Sequence, residues 1–167
     1  MSATVFYDQD AALERLLGKP VAIIGYGSQG HAHALNLRDS GLDVRVGLPA
    51  TSRSRKKASD AGLRVESPTQ AAREAQVVMV LVPDTSQPEL FEGELREAMT
   101  PGKTLMFAHG FNVHYGFITP PPGVDITMVA PKDPGARVRW LYKEGNGTTG
   151  LGAVAKDASG GRPTVTS

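Results

Sequence analysis

The sequence predicts an α/β fold: a doubly wound, mostly parallel sheet with helices on both faces. Three observations predict it. Short β-rich apolar runs alternate with helical segments along most of the chain, the signature of successive βαβ units. The runs at 21–24 and 77–82 are continuously apolar, as in strands covered on both faces. Between the first run and the helical pattern after it, glycines fall at Gly25, Gly27 and Gly30, the spacing of a tight strand-to-helix turn.

Each element follows from its residues. Residues 10–17 carry apolar side chains at helical spacing and stop at Gly18, a helix with a glycine cap. A buried strand occupies 21–24, and a helix over 29–40 ends at Gly41. The second strand, 44–48, leads into a Ser/Arg-rich loop. A helix over 55–61 is stopped by Gly62, a short strand spans 63–65, and a helix over 68–75 carries Pro68 at its start. The strand 77–82 precedes a helix over 88–99, stopped by Pro101 and Gly102. Strands follow at 104–108 and 126–130, with a further candidate at 151–155. The segment 119–123 is Pro-rich and reads as a stiff connector, and there is no internal repeat. The expected organisation is one domain over 1–159 and an irregular tail over 160–167.

The glycine loop gives the first chemical reading. Gly25 permits the turn, Gly27 admits a close approach to the backbone, and Gly30 lets helix and strand pack closely. The N–H groups and positive dipole of the helix start then suit a dinucleotide pyrophosphate. This is a Rossmann-type arrangement. The end of the second strand indicates which dinucleotide. An NAD-preferring fold places a carboxylate there for the ribose 2′-hydroxyl. Here the strand ends Arg45-Val-Gly-Leu48 without one, and Asp43 lies at the opposite end. The loop that follows offers Ser52 and Ser54 as hydroxyls and Arg53 and Arg55 as cations, while Lys56 and Lys57 read as solvated. Guanidinium forks suit a phosphate, so the expected cofactor is NADPH.

Composition bounds the remaining possibilities. The chain has 167 residues, 40% hydrophobic and 21% charged, ordinary for a globular protein with one sizeable core. A net charge of +1 gives no basis for polyanion binding, so no nucleic-acid partner is expected. The absence of cysteine excludes disulfides, thiolate catalysis and Cys-ligated metal within these residues. No apolar stretch is long enough to span a bilayer and no signal pattern opens the chain, so the expectation is a cytoplasmic protein with no membrane partner.

The motifs together resemble those of the ketol-acid reductoisomerase (acetohydroxy acid isomeroreductase) family. The resemblance runs through Phe6-Tyr-Asp-Gln-Asp10 and Gly18-Lys-Pro-Val-Ala-Ile-Ile-Gly-Tyr-Gly-Ser-Gln-Gly-His-Ala-His-Ala-Leu-Asn36. It continues in Val80-Leu-Val-Pro-Asp84, Phe107-Ala-His-Gly-Phe-Asn-Val-His-Tyr115, Met128-Val-Ala-Pro-Lys132 and Asp157-Ala-Ser-Gly160. Nearly the whole chain is similar to the N-terminal cofactor domain of that family. The resemblance implies a Mg²⁺-dependent alkyl shift in a 2-aceto-2-hydroxy acid, then reduction by NADPH, in branched-chain (valine and isoleucine) amino acid biosynthesis. It implies that Gly25, Tyr26, Gly27, Ser28 and Gln29 form the pyrophosphate loop and that Ser52 and Ser54 surround the 2′-phosphate. It places His109 at the active-site edge and Pro131 and Lys132 beside the metal and substrate region.

Three departures from the family pattern stand out. Pro49 replaces an arginine often found directly after Gly-Leu, and Asp133 replaces the usual glycine after Ala-Pro-Lys. The α-helical domain that supplies the Mg²⁺ carboxylates and substrate contacts is absent from the sequence. Mg²⁺ requires several hard oxygen ligands. No paired-carboxylate motif of that type appears: Glu92, Glu94 and Glu97 read as a solvated helix face. His31 and His33, two apart on a helix, do not share a face and read as non-ligands.

His109 follows a strand at the carboxyl edge of the sheet, where open α/β sheets bind ligands. It can orient substrate or relay a proton, or hold the loop; with the family match it reads as catalytic. Lys132, also after a strand, can neutralise charge on a metal-bound substrate or bond a carbonyl. His114 and Tyr115 read as loop or packing residues, and Trp140 and Tyr142 lie in a short basic stretch. Three functions follow: a reductoisomerase cofactor domain acting on a small molecule with a separate helical domain or second chain, a stand-alone enzyme for another small carbonyl or carboxylate, or a non-catalytic cofactor-binding protein.

Overall fold

The computed structural model describes residues 4–160. The predicted tail lies outside the described residues except for Gly160. Seven strands form one sheet in the order β3-β2-β1-β4-β5-β6-β7. They are β1 (Val21–Ile24), β2 (Val44–Gly47), β3 (Arg64–Glu66), β4 (Val77–Val80), β5 (Thr104–Phe107), β6 (Asp125–Pro131) and β7 (Gly150–Lys156). The first six run parallel, with Val21 opposite both Val44 and Val77. The doubly wound, mostly parallel sheet predicted from sequence is therefore the observed one.

Period-two alternation sends side chains to two cores. Ala22, Ile24, Val78, Val80, Leu105 and Phe107 pack on one face, and Val21, Ile23, Val46, Val77 and Met79 on the other. Helix α1 (Ser28–Asp39) and helix α2 (Ser54–Asp60) cover the second face through Ala34, Leu35 and Ala58. Helix α3 (Pro68–Glu74) covers the first through Ala71 and Ala72, its start capped by the Ser67 hydroxyl accepting the Gln70 N–H. Helix α4 (Gln87–Leu90) lies on the same face and continues as a π turn (Phe91–Leu95) and a 3₁₀ turn (Arg96–Ala98), burying Phe91 and Leu95.

Four differences from the sequence expectation have physical reasons. Residues 10–17 do not form an α-helix; 3₁₀ turns at Asp8–Asp10 and Leu13–Arg15 stand there instead. Leu13 and Leu17 remain exposed, and so short a segment is not helical without a face to bury. Helix α5 (Phe111–His114), a single turn, carries too few residues to show periodicity. Helix α6 (Gly135–Lys143) was not expected: its apolar face is short, with Val138 buried, and polar contacts to α1 complete its docking. Arg139 donates to Asn36 Oδ1 at 2.9 Å and to Asp39 Oδ2 at 2.6 Å, and Tyr142 Oη lies 2.8 Å from Ser40 Oγ. The candidate strand at 151–155 is real but antiparallel to β6, with a register irregularity at Ile126/Thr127. No helix among the described residues is long and apolar enough to cross a membrane.

Candidate functional site

The strand order reverses between β1 and β4, so the loops leaving them diverge and open a cleft at the carboxyl edge of the sheet. A cavity of about 640 Å³ occupies this place. Its lining comes from four strand ends: residues 25–29 after β1, Leu48, Pro49, Ser52 and Ser54 after β2, residues 80–84 at and beyond the end of β4, and Ala108 and His109 after β5.

The three loop glycines have different reasons. Gly25 has φ +104°, and an added Cβ would lie 3.0 Å from the Leu81 carbonyl carbon. A Cβ on Gly30 would lie 2.3 Å from Gly25 O, so helix α1 can meet the turn only through a glycine. Gly27 has an ordinary φ of −75°, and a Cβ there would meet no protein atom within 4 Å. Neither packing nor backbone geometry demands a glycine at that position. The open space there leaves room for an outside group, such as a pyrophosphate, to approach the backbone closely.

Helix α1 offers the anion a suitable end. Its start has no side-chain cap and no acidic residue in the first turn, and its first intrahelical bond is His31 N–H to Gly27 O. The N–H groups of Ser28, Gln29 and Gly30 thus precede the helical ladder. The loop is buttressed from behind. Gln29 Nε2 donates to Asp133 O at 3.0 Å, and a Cβ on Gly135 would lie 2.1 Å from Ser28 O. Helix α6 therefore presses directly on the loop, a contact between residues over a hundred positions apart that local sequence patterns do not carry.

Tyr26 is buried, and its hydroxyl lies 3.1 Å from His31 Nδ1 with the rings edge to face. Burial raises the Tyr26 phenol pKa against the opposing charges of Arg38 and Arg139. Burial also lowers the His31 pKa, with Lys57 and Arg139 adding to the shift. His33 is lowered by burial too. Both imidazoles are thus held toward the neutral form.

At the far end of the cavity, Ser52 and Ser54 face the space beyond β2, where no carboxylate ends the strand. The two arginines part company. Arg53 is exposed, and among the described residues its side chain makes no hydrogen bond. Arg55 turns inward, donating from Nη1 to Leu48 O at 2.6 Å and Glu66 O at 3.3 Å. Neither arginine lines the cavity. Lys56 is exposed and pairs with Asp60 at 2.5 Å, as expected of a solvated side chain.

His109 lies on the opposite rim and is exposed. Its Nδ1 accepts the Phe111 N–H at 3.3 Å and stands 3.7 Å from Asp84 Oδ2. Behind Asp84 is a buried amide pair that sequence reasoning missed. Asn112 Nδ2 donates to Asp84 O and Gln87 Oε1, both at 2.9 Å, and Gln87 Nε2 donates to Val82 O at 2.9 Å and Asp84 Oδ1 at 3.1 Å. The available signal was Asp84 itself, a carboxylate just beyond a strand end. Pro131 and Lys132, at the end of β6, do not line the cavity, and Lys132 is exposed. The Asp133 carboxylate is engaged locally, accepting from Thr148 Oγ1 and pairing with Arg137 at 3.0 Å. Among the described residues no three His, Cys, Asp or Glu side chains group to hold a metal ion.

Residues 15–166 match the sequence profile of the acetohydroxy acid isomeroreductase NADPH-binding domain. The chain belongs to that family. A solved ketol-acid reductoisomerase from an uncultured archaeon, described as NADH-preferring, is 39% identical with a TM-score of 0.90. The match covers 95% of this chain and 49% of that one, so the chain spans about half the length of this reductoisomerase. A semialdehyde dehydrogenase NAD-binding protein from Cupriavidus necator, solved with calcium and NAD, aligns at 20% identity and TM-score 0.69, over 84% of this chain and 54% of its own. A Mycobacterium tuberculosis 3-hydroxyisobutyrate dehydrogenase aligns at 20% identity and TM-score 0.62, over 84% and 47%. These two show a shared fold.

Proposed function

We propose that this chain is the NADPH-binding half of a ketol-acid reductoisomerase, acting with a helical second half in branched-chain amino acid biosynthesis. The observation that carries the cofactor assignment is the end of β2. Ser52 and Ser54 face the cavity there, the Arg53 guanidinium is exposed on the same loop, and no carboxylate is present to repel a 2′-phosphate. Bound dinucleotide supplies the hydride. Residues 25–30 and the start of α1 hold its pyrophosphate, with Gly27 admitting the phosphates and Ser28, Gln29 and Gly30 donating N–H groups.

The remaining chemistry divides between two polypeptide segments. His109, at the cavity rim with Asp84 behind it, orients the small-molecule substrate or carries its proton. Lys132, exposed at the carboxyl end of β6 next to Pro131, offsets negative charge on that substrate. The carboxylates for Mg²⁺ belong to the helical half. A separate apolar surface suits that partner: Phe111, Tyr115 and Phe117 are exposed together, beside a second cavity of about 240 Å³ between α5, β6 and β7.

Fluorescence titration with NADPH and NADH tests the cofactor assignment, and NADPH consumption with 2-acetolactate and Mg²⁺ tests the division of labour. Tighter NADPH binding, by about tenfold or more, supports the reading. Equal affinities, or the NADH preference described for the archaeal relative, overturn the 2′-phosphate assignment. Turnover by this chain alone overturns the need for a second half.

A further inference from the structure

We propose that Arg55 is a positioning residue for the cofactor loop rather than a phosphate ligand, leaving Arg53 as the cation that meets the 2′-phosphate. The inference rests on the cofactor reading above and divides two arginines that the sequence left equivalent.

The geometry is specific. The loop leaves β2 at Leu48 and returns at Ser54, the first residue of α2. Backbone contacts inside it are few: Ser52 N–H to Pro49 O at 2.9 Å, Arg55 N–H to Ser52 O at 3.3 Å, and Ser54 N–H to Ser52 Oγ at 3.3 Å. Arg55 Nη1 closes it, donating to Leu48 O at the exit of β2 and to Glu66 O at the end of β3. Leu48 N–H also donates to Glu66 O, at 2.9 Å, so one guanidinium ties the loop to the point where β2 and β3 are already joined.

Leu48 O needs a donor, because it lies beyond the β2–β3 ladder, which stops at Gly47 and Glu66, whereas Glu66 O already accepts the Leu48 N–H and takes Arg55 as a second, longer partner. The guanidinium bridges both and holds the serine hydroxyls at the cavity wall. Arg55 itself does not reach that wall, whereas Ser52 and Ser54 do. Arg53 lies between the two serines, exposed and without a side-chain hydrogen bond among the described residues. A ligand that binds a pre-fixed loop does not bear the ordering cost, so losing the latch weakens every ligand that uses the loop. Losing a phosphate ligand weakens only those that carry the phosphate.

The test uses adenosine 2′,5′-bisphosphate and 5′-AMP as probes, by calorimetry on the chain at about 50 and about 300 mM salt. Amide hydrogen exchange over residues 49–54 is followed without ligand. Arg55→Ala is expected to weaken both probes by about tenfold, leave the salt dependence unchanged, and raise loop exchange. Arg53→Ala is expected to weaken only the bisphosphate, flatten its salt dependence, and leave exchange unchanged. Arg55→Gln keeps an N–H donor without charge and serves if the alanine variant does not fold. It is expected to preserve discrimination between the probes. Selective loss of the bisphosphate in Arg55→Gln, or unchanged loop exchange in Arg55→Ala, overturns the proposal. Should the wild-type chain bind neither probe, the cofactor reading fails, while the exchange comparison still decides whether Arg55 is a latch.

Discussion

Replacing Gly135 with alanine tests whether helix α6 supports the phosphate loop. The added Cβ would lie 2.1 Å from Ser28 O, 2.3 Å from Ser28 C and 2.6 Å from Ser28 Oγ. Non-bonded atoms prefer about 3.5 Å, so loop and helix must separate by more than about 1 Å. Two of the three clashing atoms are backbone, so no rotamer change relieves them. Overpacking of this kind costs about 1–3 kcal/mol, offset by at most about 1 kcal/mol of helix propensity. A net loss of about 1–2 kcal/mol, at about 2–4 °C per kcal/mol for a chain of this size, should lower the melting temperature by about 2–8 °C. Ser28 opens α1, and hydrogen bonds near 2.9 Å do not survive displacement by about 1 Å. NADPH affinity should therefore fall by about tenfold or more.

Thermal unfolding by circular dichroism and cofactor fluorescence read the two effects separately. Gly93→Ala is the control. Gly93 is exposed within the helical segment, and an added Cβ meets nothing within 4 Å. It should gain about 0.5–1 kcal/mol and bind NADPH unchanged. Wild-type stability and affinity in Gly135→Ala would refute the buttress.

Two other predictions follow from the site. Gly27→Asp should keep the fold, since the position has open space and an ordinary φ, and should abolish NADPH binding by placing a carboxylate against the pyrophosphate; retained affinity in a folded variant would displace the phosphate site. Burial lowers the His33 pKa below its ordinary 6.5, so the unfolded chain binds more protons as pH falls. Stability is then full above that value and is lost as pH falls through it toward the folded-state pKa, with His31 adding in the same direction. The urea midpoint should drop between about pH 7.5 and 5.5, less steeply in His33→Gln, and an unchanged slope in that variant would contradict the assignment.

The sequence alone determined the strands and the glycine turn after β1. Runs such as 77–82 are apolar throughout, too short for an ordinary helix and rich in valine, as in a strand covered on both faces. Gly25 and Gly30 were legible because their reasons are local: a turn, and a helix meeting that same turn. The serines at the end of β2 were legible because their place in the βαβ unit follows from chain order.

Tertiary structure decided what depends on partners far along the chain. Helix α6 has only a short apolar face, centred on Val138, and Asn36, Asp39 and Ser40 fix it through polar contacts from far along the chain. The helix expected at 10–17 gave way to 3₁₀ turns because nothing covers Leu13 and Leu17. The buried Gln87–Asn112 pair behind Asp84 and His109 joins residues 25 positions apart, and the carbonyls that claim Arg55 belong to two strands. Periodicity and motif spacing record which face a residue turns and which local geometry it adopts. Hydrogen bonds between distant polar groups have no period, so only the folded chain could separate the arginine that holds the loop from the one left facing outward.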